Sequence, residues 1–168
     1  PAWPVELITV MEEAMAGDWD RVIKIFIGFL LFMIYGSLRW NDTSRLKPLE
    51  MTMREDALVG KCWETKTHKS GRYMTFAIPN CSFSKVPWLE IWYNLYMSEL
   101  DAQDEEVRQK VDFLMPVMNR KLKLDWDAPM EYNKAVQLAR YVVDQLAKWT
   151  TDEDKKNKIL AFLEQLFG

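Results

Sequence analysis

Near the start of the chain, apolar residues recur every three or four positions, with Leu7, Ile8, Met11 and Met15 on one side, Pro4 before them and Gly17 after. That spacing predicts an amphipathic helix opened by proline and stopped by glycine. Asp18 offers a cap for a second helix from Trp19 to Tyr35, which is apolar nearly all the way round from Ile23 onward. A helix without a polar face belongs in the interior. Gly36 and Ser37 interrupt it, Arg39 to Leu46 read as a short helical turn, and Pro48 discourages helix beyond. The period then changes. β-Branched and aromatic residues nearly alternate over Ala57 to Thr67 and Arg72 to Ile78, which predicts a β-hairpin with a four-residue loop, His68 to Gly71.

Helical spacing returns after Pro87, where Leu89, Trp92, Tyr93, Tyr96 and Leu100 form a heavy apolar face. The acidic stretch Asp101 to Glu106 should be solvated, Val107 to Val111 suit a short helix, and Phe113 to Met118, broken by Pro116, reads as extended and buried. Pro129 marks the start of a helix running to about Trp149, with Val136, Leu138, Ala139, Val142, Val143 and Leu146 in register. Thr150 and Glu153 have capping-box spacing ahead of a last helix with Ile159, Leu160, Phe162, Leu163, Leu166 and Phe167 as its stripe. No linker, repeat or low-complexity segment divides residues 1–168. The expected fold is one mainly helical α+β domain with a small β-hairpin.

Composition sharpens this picture in three ways. The longest apolar run, Ile25 to Tyr35, falls short of the roughly 20 residues a bilayer requires, so no membrane span is expected. No targeting signal is legible, and Cys62 and Cys81 lack metal-ligand spacing, which makes cytosol or nucleus the expected compartment rather than a secreted location. The net charge of −3 is unlike that of a stand-alone nucleic-acid binder, although a basic face can coexist with an acidic total.

Candidate chemistry is narrow. His68 is the only histidine, which argues against a histidine triad or a multi-histidine metal site, and neither a phosphate-cradling Gly-x-x-x-x-Gly-Lys loop nor a Gly-x-Gly-x-x-Gly turn is present. No metal or cofactor is expected. Trp63, Trp88, Trp92 and Trp126 could stack on bases, but core packing is the stronger reading, and Met11, Met15, Met33 and Met97 lie at core spacing.

What remains is an ordered arrangement: an apolar helix ending in Tyr35-Gly36-Ser37-Leu38-Arg39-Trp40-Asn41-Asp42, then a hairpin with Thr65-Lys66-Thr67 at its turn. This order resembles the first half of the catalytic domain of tyrosine recombinases, the phage-integrase-like family. There a helix end presents an arginine, an acid follows three residues on, and a hairpin presents a lysine. Arg39, Asp42 and Lys66 match those positions. The residue types suit the chemistry, because a planar guanidinium can hold two non-bridging phosphate oxygens as charge builds on them. An acid one turn away can clamp that arginine. An ammonium on a hairpin tip can reach and protonate a leaving oxygen, with Lys69 as a less well-matched substitute for Lys66. Phe113-Leu114-Met115-Pro116, then Met130-Glu131-Tyr132 and a helix through Arg140, also look like segments preceding the second half of that site, so the resemblance spans about residues 19–143.

The departures matter equally. The family's His-x-x-Arg element, its further His or Trp and its tyrosine nucleophile are missing; Gly71 stands third after His68, and Tyr141 sits in a helix that would precede the missing element. The resemblance therefore implies a truncated or degenerate mobile-element domain, inactive alone, that binds double-stranded DNA through Arg39, Lys66, Lys69 and Arg72. Residues 150–168 diverge from it. The alternative is a non-enzymatic helical module that binds another protein, or itself, through its C-terminal helix. A third reading has a partner chain supply the missing half of the site.

Overall fold

The computed structural model describes residues 2–65 and 69–167. α1 (Val5–Met15) follows Pro4, and α2 (Arg21–Gly36) runs through the centre of the molecule, with ten consecutive-turn residues between Val22 and Phe32 buried. Its N-cap is Asp20, not Asp18: the Asp20 carboxylate accepts from the amides of Val22 at 2.8 Å and Ile23 at 3.3 Å, so the helix starts two residues later than the pattern suggests. It ends with Ser37 in the left-handed region (φ 52°), where the Ser37 amide donates to Ile34 and the Leu38 amide to Met33, a Schellman ending.

The chain then makes the short α3 (Trp40–Thr43), a 3-10 turn at Pro48–Glu50, and an antiparallel three-stranded sheet in the order β1 (Thr52–Met53), β2 (Ala57–Trp63), β3 (Tyr73–Pro79). The predicted hairpin is present, but β2 ends at Trp63 rather than Thr67, and β3 keeps its expected seven residues shifted by one, from Tyr73 to Pro79. Strand β1 has two residues and is invisible to a period-2 reading. Register runs from Ala57 opposite Pro79 to Trp63 opposite Tyr73.

α4 (Trp88–Asp101) crosses α2 closely, and α5 (Glu105–Lys110) is the short helix expected nearby. The buried run after Phe113 becomes β4 (Pro116–Met118), paired with β5 (Leu124–Pro129) in a second hairpin that the sequence did not reveal. Pro129 consequently closes a strand instead of opening a helix; α6 (Tyr132–Trp149) begins three residues later, with Glu131 as N-cap. α7 (Glu153–Phe167) is preceded by Asp152, whose carboxylate accepts from the Lys155 amide at 3.2 Å, so Asp152 takes the capping role expected of Thr150.

The core lies between α1, α2, α4, the inner face of β2–β3 and α6, and α7 covers α1 and α6. Trp88, Trp92 and Trp126 are buried as expected, whereas Trp63 sits on the outer side of the sheet and is only half-buried. The C-terminal stripe turns inward: Ile159 and Phe162 are buried, and Leu163 and Leu166 pack on the core. No helix among the described residues is long and apolar enough to cross a membrane.

Candidate functional site

The corner after α2 positions Arg39 and Asp42. Arg39 is the N-cap of α3, with extended backbone (φ −90°, ψ 161°), and its side chain is exposed. Asp42 is the third residue of that helix, and its Oδ2 accepts from the Arg39 backbone amide at 2.8 Å. An N3 acid reaching back to the N-cap amide satisfies a donor the helix cannot. Asp42 therefore supports Arg39 through the main chain rather than by clamping the guanidinium, because Arg39 precedes the helix and does not share a helical face with Asp42. The guanidinium nearest the Asp42 carboxylate is that of Arg45, at 3.9 Å.

Arg45 also joins this corner to the hairpin. Its carbonyl accepts from the Trp63 amide at 2.7 Å, its Nε donates to the Trp63 carbonyl at 2.7 Å, and Leu46 forms a β-bridge with Cys62. The segment behind Arg39 is thus stapled to the last residues of β2. Beside the staple is a groove of about 250 Å³ lined by Asp42 and Arg45 from the corner and by Cys62, Trp63, Glu64, Arg72, Tyr73 and Met74 from the hairpin. Arg72 stands 4.0 Å from Glu64, well exposed. Burial, together with the Asp42 carboxylate and against the Arg45 guanidinium, pushes the Cys62 thiol up to about 11.

Of the residues nominated from sequence, Asp42 and Arg72 share this groove; among the described residues, Arg39 and Lys69 are not part of its lining. Lys66 lies outside the described residues. Arg45 was missed, although its i+3 spacing from Asp42 was a usable signal.

The corner also meets the segments around residues 113–116 and 130–132. The Leu114 amide donates to the Thr43 carbonyl at 2.9 Å, the Met130 amide donates to Met115 at 2.9 Å, and the Trp40 ring packs edge-on against Tyr132 with centroids 5.7 Å apart.

A second polar centre lies away from this corner. Glu12 is wholly buried, and its carboxylate accepts from the Ser84 amide at 2.8 Å, the Ser84 hydroxyl at 2.7 Å, the Phe83 amide at 3.3 Å and the Tyr35 hydroxyl. Burial and then the Glu12 hydrogen bond raise the Tyr35 phenol well above its ordinary range. Among the described residues Glu12 takes its hydrogen bonds from Tyr35, Phe83 and Ser84, which makes it a tether for the 80–87 connection. No group of three or more metal-ligating side chains occurs among the described residues. No protein-family model, no curated protein and no solved structure matches the chain.

Proposed function

We propose that this chain is a duplex-DNA-binding domain of the tyrosine-recombinase type, in the class of DNA recombination and integration, with Arg39 and Lys66 gripping a backbone phosphate. The observation that carries the reading is convergence: hairpin, extended segment and the start of α6 all contact the α3 corner, through Trp63, Leu114 and Tyr132. These are the segments whose order suggested the family. Lys66 follows Trp63 by three positions in the sequence and lies outside the described residues.

In this reading the exposed Arg39 guanidinium holds two phosphate oxygens, its backbone fixed by Asp42, and Lys66 supplies a second positive charge, with Lys69 and Arg72 contacting flanking phosphates. Strand cleavage is not proposed for the chain alone, since it lacks the His-x-x-Arg element and a tyrosine placed as nucleophile. The test is duplex-DNA affinity measured across a salt series. Binding should weaken as salt rises, and Arg39→Ala and Lys66→Ala should each lower the slope of log affinity against log salt by about 0.9. Salt-independent binding, or substitutions that leave affinity and slope unchanged, would remove the proposal.

A further inference from the structure

The two faces of the three-stranded sheet differ in character. Leu58, Cys62, Phe76 and Ile78 face inward and are buried. On the other face, Lys61 pairs across the strands with Thr75, and Trp63 pairs with Tyr73. The Trp63 and Tyr73 rings meet at a steep angle with centroids 5.1 Å apart. Lys61 Nζ lies 4.6 Å from the Tyr73 centroid and 5.8 Å from that of Trp63, and Lys47 Nζ lies 5.8 Å from the Trp63 ring. Tyr73 is 47% exposed in spite of these contacts.

Charge distinguishes this region from the rest of the molecule. Residues 45–79 carry seven Lys and Arg against four Asp and Glu, in a chain whose total is −3. Two of those acids are engaged: Glu50 accepts from the Trp63 indole at 2.7 Å, and Glu64 stands 4.0 Å from Arg72. Lys61 and Lys47 beside an exposed aromatic ring are complementary to a polyanion that also offers flat π surfaces.

We propose that the outer face of β2–β3 binds a single-stranded polynucleotide, with a base stacking on Tyr73 and flanking phosphates meeting Lys61 and Lys47. An exposed lysine–ring contact is weak, so Lys61 can yield the Tyr73 face to a base and keep its charge beside the adjoining phosphate. A duplex gains little here, because its base faces are already covered by their neighbours. The inference does not rest on the duplex proposal: it uses different side chains and a different state of the nucleic acid.

The experiment is fluorescence anisotropy on the full chain with labelled oligo-dT, labelled oligo-U of equal length and a mixed-sequence duplex. Both single strands should bind, whichever binds better identifying DNA or RNA as the favoured source of the strand, and any duplex binding by the full chain should be insensitive to Tyr73→Ala. Tyr73→Ala should weaken single-strand binding about tenfold and Tyr73→Phe should leave it nearly unchanged, since stacking requires the ring and not the hydroxyl. Lys61→Ala should reduce the salt slope by roughly 0.7. Thermal unfolding of each variant controls for folding, and if Tyr73→Ala fails to fold, Lys61→Ala and Tyr73→Phe carry the decision. Absence of single-strand binding, a folded Tyr73→Ala that binds single strands as well as the parent or loses duplex affinity to the same extent, or an unaltered salt slope in Lys61→Ala would each overturn the proposal.

Discussion

Buried polar side chains set the sharpest constraints on single residues. Glu12 gathers donors from Tyr35, Phe83 and Ser84 in a site closed to water, so removing its carboxylate leaves several donors without an acceptor. Glu12→Ala should cost about 3 kcal/mol in urea unfolding, and Glu12→Gln, which keeps one acceptor oxygen, about half of that. A loss below about 0.5 kcal/mol for the alanine variant would show that water replaces the lost acceptor. Alkaline pH probes three other groups. Cys62 is raised from 9.0 to about 11, first by burial and then by Asp42, while Tyr96, by burial, and Tyr35 lie above the ordinary 10.0. A raised value means that the folded chain holds the proton more tightly than the unfolded one, so the associated stability is intact below the unfolded value and is lost as pH climbs toward the folded value. Unfolding temperature should therefore decline from about pH 9 upward. Cys62→Ala should flatten the part of that decline between pH 9 and 11; an identical profile would mean that the thiol is not shielded.

At the scale of elements, the contact between α2 and α4 depends on a missing side chain. A Cβ on Gly28 would lie 2.1 Å from Trp92 Cδ1 and 2.8 Å from Trp92 Cβ, and the Trp92 indole donates to the Ile25 carbonyl at 3.1 Å. Helix propensity alone favours alanine over glycine by about 1 kcal/mol, but the overlap falls on a ring that is buried and hydrogen-bonded. Gly28→Ala should therefore destabilise, by about 1–3 kcal/mol in chemical denaturation; a gain near the propensity value would mean that Trp92 moves aside freely. The longer elements were legible because α1, α2, α4, α6 and α7 repeat apolar residues at helical spacing over several turns. β4 falls within the run read as extended, but β1 was not legible, because two residues are too few to carry a period, nor was β5, whose Asp125, Asp127 and Pro129 are poor strand formers. Pro129 misled for a related reason: proline suits both a helix start and a strand end, and only the pairing of Pro116 with Pro129 decides between them.

On the scale of the whole molecule, α7 closes the fold. Its apolar stripe packs on the core, and Lys155 reaches Glu13 at 3.0 Å and Lys158 reaches Glu6 at 3.6 Å. Leu163→Asp should accordingly lower stability by about 2 kcal/mol without altering the elution volume in size exclusion. A variant of unchanged stability that elutes differently would return the C-terminal helix to the role of docking surface. The order of side-chain types along the chain determined the central helix, the sheet hairpin and the candidate residues Arg39, Asp42, Lys66, Lys69 and Arg72, because periodicity and residue chemistry are local properties. Tertiary structure alone decided which groups meet. The Asp42 carboxylate goes to a main-chain amide, Arg45 to a strand carbonyl 18 residues away, and Glu12 to a loop 72 residues away. Partner choice between polar groups depends on which donors the packing leaves unsatisfied, and that is fixed only once distant segments have been brought together.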